Sequence, residues 1–242
     1  MDILARIIIL ALAVSVPAYA QPTPAQKPVR ILIANGKLDD VVNASLYMKL
    51  LQVQLGAGQS VVYSGANAMI YPTSGTLIVE SESESKNLQD GEGAFLQAGK
   101  NLTLKAGGGR PTVFFEFLLI TAAELNKPPH SKPAVVTELY QTTEPVKGLK
   151  PGPHEFTLTR VVAPPKLPAP PMHHRSGAAL YYVLSGSGLL RTPDKAEPRA
   201  RGAIQYEPSD FVHSWQNAGD TPLILLQANI SAEGTPEIIF LQ

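Results

Sequence analysis

No cysteine occurs anywhere in the 242 residues. A chain without thiols forms no disulfide and builds no thiolate-held zinc or iron–sulfur centre, so core packing must supply its stability. Net charge is missing too: 20 Lys and Arg balance 20 Asp and Glu. That balance removes the electrostatic footprint expected of a nucleic-acid-binding protein or of one held on an anionic lipid surface. No apolar run approaches the roughly 20 residues needed to cross a bilayer. Histidine is scarce, with five in all, and tryptophan occurs once. What is abundant is proline, at 22, and glycine, at 19, which suits many short strands joined by turns better than long helices.

The first residues, MDILARIIILALAVSVPAYA, carry Arg6 near the start, an apolar run from Ile7 to Val16, and Ala18-Tyr19-Ala20 before Gln21. A short apolar core with a small-x-small end reads as a cleaved secretory signal over residues 1–20. The expected mature protein is periplasmic or secreted and has no membrane span after cleavage. Residues 21–28 are proline-rich without an apolar pattern and read as a flexible lead-in.

From Val29 onward the apolar segments are short and β-prone, among them VRILIA, QSVVYS, GTLIVE and TVFFEFLLI. Only LDDVVNASLYMKLL, whose period is ambiguous, and TAAELN look helical. Proline at both ends of residues 127–153 marks a linker between a half at 29–126 and a half at 154–242. The halves look like copies. Setting SGT at 74–76 under SGS at 185–187 places Val62 under His173 and Ser64 under Arg175, and one residue of shift places Thr103 under His213. Strands of this length at short spacing predict an all-β architecture of antiparallel barrels or sandwiches.

Near the C-terminus, Gly202, Pro208, His213 and Asn217 keep the spacing G-x5-P-x-G-x2-H-x3-N, with Asp210 where a glycine is usual. This half resembles a cupin, and with its internal copy the chain resembles an exported protein of two tandem cupin-type jelly-roll barrels. The companion motif, G-x5-H-x-H-x3,4-E-x6-G, is damaged. Counting back from Gly186, its glutamate slot holds Ala179; the shorter spacing, the working choice, puts His173 and Arg175 in the two histidine slots, and the longer one puts Met172 and His174 there. The resemblance implies a divalent metal such as Fe, Mn, Zn or Cu where the ligands are kept, and carry-over reaches only His173 and His213. It also implies a homodimer.

Alternation along a strand gives a reading independent of the resemblance. His173, Arg175, Ala179, Tyr181 and Val183 share one parity, with a turn at Ser176-Gly177 in between, and His213 shares a face with Phe211, Trp215 and Asn217. Two imidazoles alone make a weak metal site, and a guanidinium cannot be deprotonated and repels a divalent ion. Arg175 suits bidentate binding of a carboxylate or phosphate, with Tyr181 and Trp215 offering flat surface to a ring.

The residues leave three expectations open. The first is a metal-free binding protein that holds a small, anionic organic ligand with His173, Arg175, Tyr181, His213 and Trp215. The second is a metal-dependent enzyme, a dioxygenase or isomerase, that uses His173, His174 and His213 and needs a bulge to turn His174 inward. The third is a structural protein whose interiors are merely filled. The remaining histidines, His130 and His154, sit in or beside the linker and are expected to be solvated.

Overall fold

The structure is a computed structural model and describes residues 27–39, 45–127 and 130–241. The expected signal at 1–20, and the lead-in apart from its last two residues, lie outside the described residues. The strands of the first part of the chain are β1 (Val29–Leu38), β2 (Leu46–Leu55), β3 (Ser60–Tyr63), β4 (Asn67–Ser74), β5 (Thr76–Glu80), β6 (Ser85–Leu88), β7 (Ala94–Leu96), β8 (Leu102–Gly107), β9 (Thr112–Thr121) and β10 (Val135–Gln141). Those of the second part are β11 (His154–Ala163), β12 (His173–Arg175), β13 (Ala178–Ser185), β14 (Ser187–Arg191), β15 (Ala196–Ala200), β16 (Ile204–Glu207), β17 (Ser214–Gln216), β18 (Leu223–Ala232) and β19 (Ile238–Phe240). The one helical element among the described residues is a 3-10 turn at Ala122–Glu124, where TAAELN suggested more.

The fold is all-β, in two tandem cupin-type halves. One half pairs its strands in the order β10-β2-β9-β4-β7 and the other in the order β1-β11-β18-β13-β16. Position by position these are the same sheet, since β2, β9, β4 and β7 recur as β11, β18, β13 and β16. The repeat extends to backbone detail. Gly75 and Gly186 both have positive φ, +74° and +77°, and a Cβ would meet the carbonyl oxygen of Pro111 at 2.5 Å in one and of Pro222 at 2.4 Å in the other. Only glycine fits a left-handed turn pressed that closely on a neighbouring strand.

The edge strands are exchanged between the halves. β1, assigned by sequence to the first half, pairs antiparallel with β11 of the second, from Val29 opposite Val162 to Leu38 opposite His154. β10, from the segment read as linker, pairs with β2 of the first half. Proline had masked this strand: Pro133 lies just before it, and Val135 to Gln141 contain no further residue that lacks a ladder donor.

The ambiguous period of LYMKLL has a physical cause. Met48 and Leu50 point into a core shared with Phe156, Leu180, Leu226 and Ile230 of the other half, while Leu51, Val53 and Leu55 point into the core of their own half. A strand buried on both faces loses the alternation that identifies it. The same shared core is crossed by Phe115 and Tyr182, whose ring centroids lie 4.4 Å apart.

Candidate functional site

The interiors of the two halves differ in chemistry. That of the first is lined mostly by Leu51, Val53, Leu77, Leu104, Phe114 and Leu118, with Lys49, Glu116 and His130 among its buried charged or titratable groups. That of the second buries Thr157, Thr159, Arg175, Glu207, His213, Gln227 and Asn229. Strand pairing places these groups. His173 and His213 form an isolated antiparallel bridge, with backbone N–H to O distances of 2.9 and 2.8 Å. Val62 and Thr103 are paired in the same way in the first half, as the internal alignment expects.

The imidazoles of His173 and His213 lie side by side, with ring centroids 4.5 Å apart. Nδ1 of His213 donates to the carbonyl of Phe211 at 2.8 Å, and Nδ1 of His173 donates to that of Pro171 at 3.2 Å. His174 faces the other way, as alternation requires. Its Nδ1 meets the carbonyls of Ser209 and Arg175 at 2.9 and 3.0 Å, and with Lys150, His154 and Arg175 it lines a cavity of about 490 Å³. The bulge that would bring three imidazoles together is not formed.

The centre of the site is a residue that the sequence reading missed. Glu207, on β16, stands directly across from Ala179 on β13, the slot that lacks the expected glutamate. Its carboxylate accepts from Arg175 Nε at 2.9 Å and from Trp215 Nε1 at 2.9 Å, and it lies 2.9 Å from His213 Nε2. That last approach is off the direction of a hydrogen bond and leaves Nε2 without one. Arg175 also donates through Nη2 to the Tyr181 hydroxyl, which donates to Gln227 Oε1 at 2.8 Å. The guanidinium carbon lies 5.4 Å from the centre of the Tyr181 ring, which is tilted against Trp215.

Charge follows from this packing. Burial pushes the Glu207 carboxyl up, but Arg175, His213 and Trp215 outweigh it and hold the group below the usual carboxylate range. Burial works against the Arg175 charge as well, and Tyr181, Glu207 and Glu237 more than offset it, so the guanidinium stays protonated. Burial raises the Tyr181 hydroxyl far above its ordinary value and keeps it neutral. His173 is pushed down to about 4, first by burial and then by His213 and Arg175.

The native state therefore resists protonating His173 over a range in which the unfolded chain accepts that proton. Stability from this residue is complete above the ordinary imidazole value of about 6.5 and falls as the pH drops toward about 4. The expected loss is on the order of 1 to 3 kcal/mol. Urea unfolding at successive pH values should show a smaller acid loss for His173→Gln than for the wild type; equal losses would contradict this.

A divalent ion does not fit this donor set. Among the described residues no three His, Cys, Asp or Glu side chains are grouped to hold a metal. The one carboxylate at the site is committed to a guanidinium, and that permanent positive charge occupies a slot where a ligand would stand.

Two histidines expected to be solvated are buried. Nε2 of His130 reaches both oxygens of Glu116, at 2.8 and 2.9 Å, with both side chains inaccessible. This pair ties the chain after β9 back to the sheet, beside a cavity of about 470 Å³ lined by Lys49, Tyr63 and Glu124. His154 is buried where β11 begins, its Nδ1 donating to the carbonyl of Gly152 at 2.9 Å.

No known family profile matches this sequence, and no curated protein matches it. Solved structures do. AerE from Microcystis aeruginosa is 15% identical over 87% of this chain and 99% of its own, with a TM-score of 0.53. Oxalate decarboxylase from Bacillus subtilis is 14% identical over 81% of this chain and 71% of its own, with a TM-score of 0.55. Salicylate 1,2-dioxygenase from Pseudaminobacter salicylatoxidans is 10% identical over 77% of this chain and 76% of its own, with a TM-score of 0.52. At these identities the likeness shows the cupin fold, and the site must carry any statement about function.

Proposed function

We propose that the chain is an exported cupin-fold protein that binds a small organic ligand through an acidic group, inside its C-terminal half and without a metal. The observation that carries this reading is Nη1 of Arg175, a guanidinium donor that is buried and has no partner. A core that is merely filled pairs its polar atoms, because each one left unpaired costs on the order of 1–3 kcal/mol. Here Ser214 Oγ and Asn229 Oδ1 are buried without partners in the same half. Asn229 also stands across from Ala179, on the side opposite Glu207. A carboxylate ligand would accept from Nη1, and Trp215 and Tyr181 would flank its apolar part.

Export rests on the N-terminal segment alone, and the proposed location is the periplasm or beyond. The proposed partner is the small molecule, with a second copy of the chain in a homodimer. Among the described residues no helix is long and apolar enough to cross a membrane.

Calorimetry with a panel of small carboxylates tests the reading. The wild type is expected to bind at least one of them, and Arg175→Ala is expected to lose that binding; equal binding by the variant removes the idea. A second reading, a metal-dependent cupin enzyme, is favoured by the fold's company, since the Bacillus subtilis oxalate decarboxylase has Mn(II) centres. Against it stands the donor set: His174 is turned away, and the Glu207 carboxylate is paired with Arg175.

A further inference from the structure

The C-terminal segment closes the site. β19 pairs with the strand that bears the histidines and the arginine, with Phe240 opposite His173, Ile239 opposite His174 and Ile238 opposite Arg175. The Phe240 ring packs edge-on against the imidazole of His173 at 5.6 Å while remaining 56% exposed itself. Just before this strand, Glu237, with 26% of its side chain exposed, sets its carboxylate among donors of the sheet. Oε1 accepts from Thr157 Oγ1 at 2.7 Å, and Oε2 accepts from Arg30 Nη2 at 3.0 Å and from Gln227 Nε2 at 3.2 Å.

Three donors from three different strands, β1, β11 and β18, thus converge on one carboxylate. Gln227 links them to the chemistry already described, since its Oε1 accepts from both Tyr181 at 2.8 Å and Arg30 at 3.0 Å. Arg30, Thr157 and Gln227 are held by long antiparallel ladders that do not depend on the tail. The tail is held by a three-residue pairing, a backbone bond from Leu241 to Met172, one from Ser176 to Glu237 and the Glu237 side chain. Its outer residues, Ile239, Phe240 and Leu241, are exposed.

We infer that Arg30, Thr157 and Gln227 form a carboxylate subsite, occupied here by the chain's own Glu237, and that a small organic carboxylate exchanges with it when the tail strand lifts. This rests on the ligand-binding reading above and adds to it where the acidic group docks first. An internal carboxylate competes at an effective concentration in the millimolar range or higher, so the native chain binds weakly and removing the competitor unmasks the site.

The test uses the full chain, with acetate, benzoate and malonate as probes. Glu237→Gln is expected to bind at least one of them roughly tenfold more tightly than the wild type, and adding Arg30→Ala to that variant is expected to abolish the gain. A chain ending at Glu233 gives a second measurement with the whole strap removed and should show the same gain. In the wild type, hydrogen exchange at Ile239 to Leu241 should speed up when the probe is added. If Glu237→Gln and the shortened chain bind no more tightly while Arg175-dependent binding persists, the subsite is wrong and the broader reading stands. A gain that survives Arg30→Ala also overturns the subsite. If none of these proteins binds any probe, both fall.

Discussion

Glu207→Ala is expected to destabilise the protein by roughly 3–5 kcal/mol, a fall in Tm of about 6–20 °C for a chain of this size. The cause is Arg175, which is 1% exposed and has Glu207 as its anionic partner at 2.9 Å. Removing the carboxylate leaves a buried guanidinium whose Nη1 is already unpaired and whose Nη2 has only a neutral hydroxyl. Trp215 Nε1 and His213 Nε2 lose their facing oxygen at the same time. Taking away both charges is different. Glu207→Ala combined with Arg175→Met should recover most of the loss, because an ion pair replaced by apolar groups costs far less than an ion left alone. Equilibrium urea unfolding of the two single variants and the double variant measures the coupling; additive losses would show that the pair is not the unit described.

Arg175→Ala is expected to weaken carboxylate binding by about 100-fold or more, which is the loss of a buried, charge-assisted contact worth roughly 3 kcal/mol. Its stability loss would mirror that of Glu207→Ala and must be separated from the binding loss. Arg175→Lys does this, keeping the charge opposite Glu207 while removing the planar fork that reaches Tyr181 and presents Nη1. A folded Arg175→Lys protein with binding reduced at least tenfold supports the role. Full affinity in that variant would reduce Arg175 to a counter-ion for Glu207.

Much of this was legible in the chain. Short β-prone segments between prolines and glycines gave the all-β class, and the recurrence of SGT and SGS located a repeat whose turn glycines, Gly75 and Gly186, share a positive φ. Strand parity put His174 on the opposite side from His173 and joined Arg175 to Tyr181 across the Ser176-Gly177 turn. Glu207 escaped because parity describes one strand at a time. Its position opposite Ala179 is a register between strands nearly thirty residues apart, and nothing local sets that register. A weak signal existed in an acidic residue closing a short apolar strand between Tyr206 and Pro208.

Arg30, Gln227 and Glu237 were less visible still. They meet because β1 leaves its sequence neighbours to edge the sheet of the other half, an exchange that the proline-marked linker gave no reason to expect. His130 was misread for a related reason. Proximity to proline suggested exposure, whereas the carboxylate that buries it, Glu116, lies inside an otherwise apolar strand, where its charge had no evident partner.

The central claim is that the buried Arg175–Glu207 ion pair organises a polar interior that binds an acidic ligand without a metal. The measurement that tests it most directly is elemental analysis of native protein purified without chelator, alongside His213→Ala. The account predicts no stoichiometric transition metal in either protein. Near-stoichiometric manganese, iron, zinc or copper that disappears in His213→Ala would contradict it.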